Sequence, residues 1–202
     1  VDLCGFTAFA EHQGDTRVVL VLADMRAGVR EMCARRGVRI VKWLGDGAML
    51  SSTMTHNLIA LVVELNDQTR RLQPELAVRA GLDAGPVVMF EGDDYIGRPV
   101  NRASRLCDLA GPGMALCTKS VLPDRPPWVD VVPAGMADLR GVDEPIEMFH
   151  LLVAPDKGDG VVDPVCGLTI PRAAALSVPD DVNGGSGPLW FCSEACAGAW
   201  EG

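Results

Sequence analysis

Apolar residues recur three or four apart between Thr16 and Arg36, at Val18, Leu22, Met25, Val29 and Met32, which predicts an amphipathic helix that Gly37 stops. From Val38 the period falls to two. Val38, Ile40, Lys42 and Leu44 then lie in line, while Val41 and Trp43 make the opposite face apolar too, so the stretch predicts a buried strand. The turn Gly45-Asp46-Gly47 and a second strand, "AMLSS", complete a hairpin. Another helix begins near Thr55 with Leu58, Leu61, Val62 and Leu65 on one face. Two further strands, broken at Gly85-Pro86, are read in "LAVRAGLDAGPVVMFEG", and "RPVNRASRLCDLAG" reads as a helix closed by Gly111. Short strands and turns fill Met114 to Val153. The opening "VDLCGFTAFAEH" reads as the end of a strand turning into a helix at Gly5, and that strand is expected to start upstream of Val1.

The order strand, helix, hairpin, helix, strands predicts an α+β sandwich of the ferredoxin-like type with one antiparallel sheet. After Val153 the composition shifts. Residues 154–162 are rich in Gly, Pro and Asp and read as a linker, and residues 163–202 read as a separate small module.

Composition narrows the function classes. The 202 residues are 48% hydrophobic and carry a net charge of -9, which suits a globular protein and argues against one that grips nucleic-acid phosphates. The longest apolar run, "VVLVLA", is far below the roughly 18 residues that span a bilayer, and the first residues do not form a signal peptide. Seven cysteines, an odd number, point to reduced thiols and a cytoplasmic location.

Lys42 breaks an otherwise apolar strand, and burying an ammonium requires an acceptor or a ligand beside it. Asp46 between two glycines reads equally as an ordinary hairpin turn. Asn101 and Arg105 are four apart and share one helix face, as solvated surface residues also do. Taken together the stretches are more specific. "VDLCGFT", "KWLGDGAML", "GLDAGPVV", "GDDYIGRPVNRASRL", "AGPGMALCT" and "LRGVDEPIEMFHL" resemble, in content and order, the class III nucleotidyl cyclases over residues 1–153.

That resemblance implies an adenylate cyclase that converts ATP to 3′,5′-cyclic AMP and pyrophosphate. Asp2 and Asp46, with the carbonyl of Leu3, would hold two Mg²⁺ or Mn²⁺ ions, which suit carboxylate and phosphate oxygens. The amides of Gly5, Phe6 and Thr7 would meet the terminal phosphates. Lys42 and Asp94 would bind adenine, one donating and the other accepting, where guanylyl cyclases of the family carry glutamate and cysteine. Asp94 is preferred to Asp93 because it lies seven before Asn101. Asn101 would orient the ribose and Arg105 would stabilise the α-phosphate. The family places the metal aspartates across a dimer interface from the base-binding and transition-state residues, which implies a homodimer.

"DPVCGLTI" and "GPLWFCSEACAGAW" resemble a YHS domain. Cys166, Cys192 and Cys196 are its matching cysteines, with Cys192 and Cys196 expected together on one helical turn, and they would bind Zn²⁺ or another soft ion or simply pack a small core. A histidine common in that module is missing, and "VNGGSG" stands in its region. Two other readings are a guanylate cyclase, and a non-catalytic nucleotide-binding or dimerisation module with a metal- or redox-sensing YHS domain.

Overall fold

The computed structural model of the protein describes residues 1–155, 158–179 and 187–201. Its core is a five-stranded sheet in the order β1 (Asp2–Cys4), β4 (Ala77–Leu82), β7 (Ala115–Thr118), β9 (Ile146–Val153), β8 (Val129–Ala137). Neighbours are antiparallel except β4 and β7, which run parallel. The sheet is therefore mixed, where the sequence pattern led us to expect an antiparallel one. The cause is the connection: helix α4 (Arg98–Leu109) lies between β4 and β7 and returns the chain to the end from which β4 started.

Helix α1 (Phe6–Gln13) follows the expected turn at Gly5, and α2 (Asp15–Arg36) and α3 (Thr55–Leu72) follow the predicted periodicity. Val21, Val29, Met32 and Cys33 of α2 are buried, and the helix ends where Gly37 takes a left-handed φ of 62° and Val38 N donates back to Cys33 O. On α3 every residue from Ile59 to Leu65 is buried, so this helix is covered on more than one side. Gly81 brings α4 against β4: a Cβ there would lie 2.0 Å from Ala103 O and 2.3 Å from Cys107 N.

The hairpin β2 (Arg39–Leu44) and β3 (Gly47–Ser51) is a separate two-stranded ribbon. It joins β1 through paired bonds between Val1 and Ala48. Lys42 was expected on a buried strand. Its side chain is 42% exposed and Leu44 is 56% exposed, because a bulge between Ile40 and Lys42 resets the alternation and the ribbon leaves the sheet. A second ribbon, β5 (Val88–Phe90) and β6 (Asp94–Ile96), contains Asp94.

The C-terminal residues form two small ribbons, β10 (Gly160–Val162) with β11 (Thr169–Pro171) and β12 (Leu176–Val178) with β13 (Leu189–Phe191), followed by helix α5 (Glu194–Gly198). Strand β10 begins inside the stretch read as a linker, of which residues 156 and 157 lie outside the described residues. Most of "VNGGSG" lies outside them too. Leu168, Ile170, Phe191 and Cys196 share one apolar cluster with Trp128, Leu61 and Ala80, all essentially inaccessible to solvent.

Candidate active site

Strand β1 and the β2–β3 turn bring Asp2 and Asp46 into one cleft, which Leu3, Arg26, Trp43 and Gly47 also line. Gly47 makes the approach possible, since a Cβ there would sit 2.7 Å from Val1 O and 3.0 Å from Asp2 Oδ1. Burial pushes the Asp46 carboxyl above the usual carboxylate range, and the charge on Asp2 adds to the effect. Arg79, the cross-strand partner of Asp2, donates to its Oδ2 from Nε at 2.9 Å and from Nη2 at 2.5 Å. From α2, Arg26 Nη2 donates to Gly45 O at 2.6 Å while its guanidinium lies 4.8 Å from the Trp43 ring centre. The turn that presents Asp46 is therefore braced from below.

These donors fit a divalent cation. They are hard oxygens, and the nearby guanidiniums leave some of them free: Arg79 takes Oδ2 of Asp2 alone, and Arg26 is turned to Gly45 O. Gly5, with φ 83°, opens α1, so that the amides of Phe6 and Thr7 fall in its first turn beside the same strand end.

Lys42 and Asp94, 52 residues apart, meet with Nζ 2.5 Å from Oδ2. The hydrogen bond from Lys42 holds the Asp94 carboxyl below its usual range, and the Tyr95 amide helps by donating to Oδ1 at 2.8 Å. Asn101 and Arg105 lie on the exposed side of α4, where Arg105 turns back on its own helix with Nη1 3.4 Å from Asp108 Oδ2. The structure thus brings together Asp2 with Asp46 and Lys42 with Asp94, and places Asn101 and Arg105 on one exposed face of α4.

The cysteines form a second cluster. Cys166 Sγ is 3.7 Å from Cys192 Sγ, which is 3.6 Å from Cys196 Sγ. Asp163, fully buried, organises them: its carboxylate accepts from the amides of Val165 at 2.8 Å, Cys166 at 3.1 Å and Cys192 at 2.7 Å. Only Cys196 lies on a helix. Cys192 precedes α5, whose N-cap is Ser193, because the short helix needs that hydroxyl to accept from the Cys196 amide. Hydrogen bonds from the neighbouring thiols, with the Arg36 guanidinium alongside, hold Cys192 far below the ordinary thiol range. Cys33, Cys107 and Cys117 are buried, as a core role predicts, whereas Cys4 is partly exposed.

Sequence reasoning missed Arg26, Arg79, Asp163 and the group Arg35, Arg36 and Glu64. The partners of the arginines and of Glu64 are remote in the chain, and no spacing rule links them; Asp163 accepts from Val165 and Cys166 close by, a local turn that an Asp in "DPVC" could have signalled. An Arg at the inward-facing end of a helix, as Arg36 is, was the one available signal.

Residues 1–152 match the family described as the adenylate and guanylate cyclase catalytic domain. An uncharacterised protein of Mycobacterium tuberculosis is 35% identical over 150 residues, 74% of this chain and 39% of that protein. A pH-sensitive adenylate cyclase from the same species is 31% identical over 158 residues, 74% of this chain and 38% of its own length. The chain thus spans well under half of these relatives. Among solved structures, the adenylyl cyclase CyaB from P. aeruginosa superposes with a TM-score of 0.66 at 21% identity, covering 76% of this chain and 91% of that one. Sequence and fold agree that this chain belongs to the adenylate and guanylate cyclase family, with its catalytic domain in residues 1–152.

Proposed function

We propose that the protein is an adenylate cyclase, converting ATP to 3′,5′-cyclic AMP and pyrophosphate. The observation that carries the choice of base is the Lys42–Asp94 pair. Lysine offers only donors and an ionised aspartate only acceptors, so the pair complements N1 and the 6-amino group of adenine. Guanine presents the reverse at that edge and would leave both groups unpaired, which discriminates strongly.

Asp2, Asp46 and the Leu3 carbonyl would hold the divalent metals that class III cyclases use. When bound, these supply activation of the ribose 3′-oxygen and neutralisation of the triphosphate. The rest falls to the chain's own residues. The amides of Gly5, Phe6 and Thr7 hold the terminal phosphates, Asn101 orients the ribose, and Arg105 stabilises charge gathering on the α-phosphate as pyrophosphate leaves.

Lys42, Asp94, Asn101 and Arg105 act together on a nucleotide whose metals the Asp2 and Asp46 of a second copy hold, in a homodimer. The exposed apolar residues of the β5–β6 ribbon, Val88, Met89, Phe90 and Ile96, support such an association, because a patch of this kind is rarely left in water. For the cysteine cluster we infer a thiophilic ion site. Two sulfurs bound at about 2.3 Å to one tetrahedral zinc lie about 3.8 Å apart, close to the 3.6 and 3.7 Å found.

The test is incubation of the purified chain with ATP or GTP and Mg²⁺ or Mn²⁺, with products identified by mass spectrometry. Cyclic AMP is expected from ATP and is lost in Asp46→Ala and in Arg105→Ala. Mixing these two inactive variants restores about a quarter of the activity, since half the dimers are mixed and half of their sites intact. Silence of the mixture would sink the shared site; cyclic GMP as the main product would sink the base assignment.

A further inference from the structure

Two arginines of the cyclase domain point into the cysteine cluster. Arg36, whose side chain is fully buried, donates from Nη2 to Cys192 Sγ at 3.3 Å and lies 3.8 Å from Cys196 Sγ, with Nη1 3.4 Å from Ser193 Oγ. Arg35 Nη1 is 3.0 Å from Cys196 Sγ. Both are held by one carboxylate, Glu64 on α3: Arg36 Nε meets its Oε2 at 2.7 Å, and Arg35 Nη2 pairs with its Oε1. From the other side Arg71 donates to the carbonyls of Cys166 and Gly167, and Trp128 Nε1 donates to Cys192 O at 2.7 Å.

This arrangement is chemically one-sided. A guanidinium has donors and no acceptor, so the sulfurs it meets must accept. A buried arginine also needs more negative charge than Glu64 alone can give to two of them. The sulfurs therefore stand as electron-rich ligands, at spacings that match a tetrahedral soft cation, beside fixed positive charges that offset the surplus charge of three thiolates on a divalent ion.

We propose that the cyclase domain supplies the outer shell of this site. Arg35 and Arg36, braced on Glu64, orient and neutralise Cys192 and Cys196, so that binding of a divalent thiophilic cation is built jointly by both parts of the chain. The proposal rests on reading the cluster as a metal site, and it assigns the arginines as positioning residues for that site.

The test is titration of the reduced full chain with cobalt(II) under anaerobic conditions, followed by sulfur-to-metal charge-transfer absorption, which the oxygen ligands Asp2 and Asp46 do not give. A saturable band is expected, displaced by zinc and lost in Cys192→Ser and Cys196→Ser. In the double variant Arg36→Met/Glu64→Gln, which removes one buried cation with the carboxylate that braces it and leaves Arg35 to the sulfurs, the band persists with affinity lowered about 10–100-fold. Should circular dichroism show that variant unfolded, Arg35→Met carries the same expectation, its side chain being 9% exposed at the margin of the cluster. Unchanged affinity in a folded variant would overturn the arginine shell while leaving the metal reading intact. Absence of the band in the unaltered chain would overturn both.

Discussion

Asp46 carries a cost in stability at neutral pH. Its carboxyl titrates above the ordinary value because it is partly buried and faces Asp2. A carboxyl whose folded pKa is raised holds its proton more tightly in the folded state, so stability falls as pH climbs from the unfolded value of 3.8 through the raised one. Asp46→Asn removes that penalty. We expect the variant to have a higher Tm than the parent at neutral pH, the same or a lower one at pH 3, and no cyclase activity, read by thermal scans at both pH values and a cyclic AMP assay. A lower Tm at neutral pH would show that the carboxylate is a structural cap of the turn. Adding Mg²⁺ should close the gap by stabilising only the parent. Asp46 itself was legible in the sequence through its place in a motif. The groups that brace it were not: Arg26 and Arg79 act on atoms 19 and 77 residues away, and hydrophobic period reports only which side of an element faces inward.

At the scale of elements, α4 and the β2–β3 ribbon position the residues proposed to act on the nucleotide. The helix lies so close to β4 that the strand carries no Cβ at Gly81. Gly81→Ala would drive a methyl group into the backbone at Ala103 and Cys107, and α4 must move outward with Asn101 and Arg105. We expect a loss of about 1–3 kcal/mol, the usual range for overpacking, measured by urea unfolding. On the proposed assignment the loss in kcat should exceed that in ATP affinity, because Asn101 and Arg105 lie on α4 itself whereas Lys42 and Asp94 lie on the two ribbons. An unchanged kcat would place the chemistry off α4. Helices were legible because Gly37 and a period near four mark them directly. The exposure of Lys42 was not, since a bulge leaves no compositional trace in "RIVKWL". The parallel pairing of β4 with β7 was equally hidden: it depends on which way a crossover returns, not on the pattern of either strand.

For the whole molecule, the question is whether the C-terminal residues are a passenger. Trp128, 0% exposed, packs in the cyclase domain and yet donates to Cys192 O, while Ile170 and Phe191 lie in the same apolar cluster as α3. Burial of this kind couples folding, and removal of a buried tryptophan side chain typically costs about 3–5 kcal/mol. We expect one cooperative urea transition, with tryptophan fluorescence and far-ultraviolet circular dichroism coincident, and Trp128→Ala lowering its midpoint without splitting it. Two separated transitions would mean that the parts fold independently. The sequence announced the start of a new segment through its Gly, Pro and Asp content, but that content reports chain stiffness and solvation, not what the following residues pack against.

The Arg36–Glu64 contact has an evolutionary reading as well. Enzyme domains that are exchanged between genes like cassettes have surfaces that tolerate any neighbour, whereas this one presents a buried cation shaped to another segment's sulfurs. A recombination that kept residues 1–153 and replaced the rest would leave Arg36 facing water or an ill-matched partner. A graft of the C-terminal residues onto another cyclase would have to bring positions 35, 36, 64 and 128 with it.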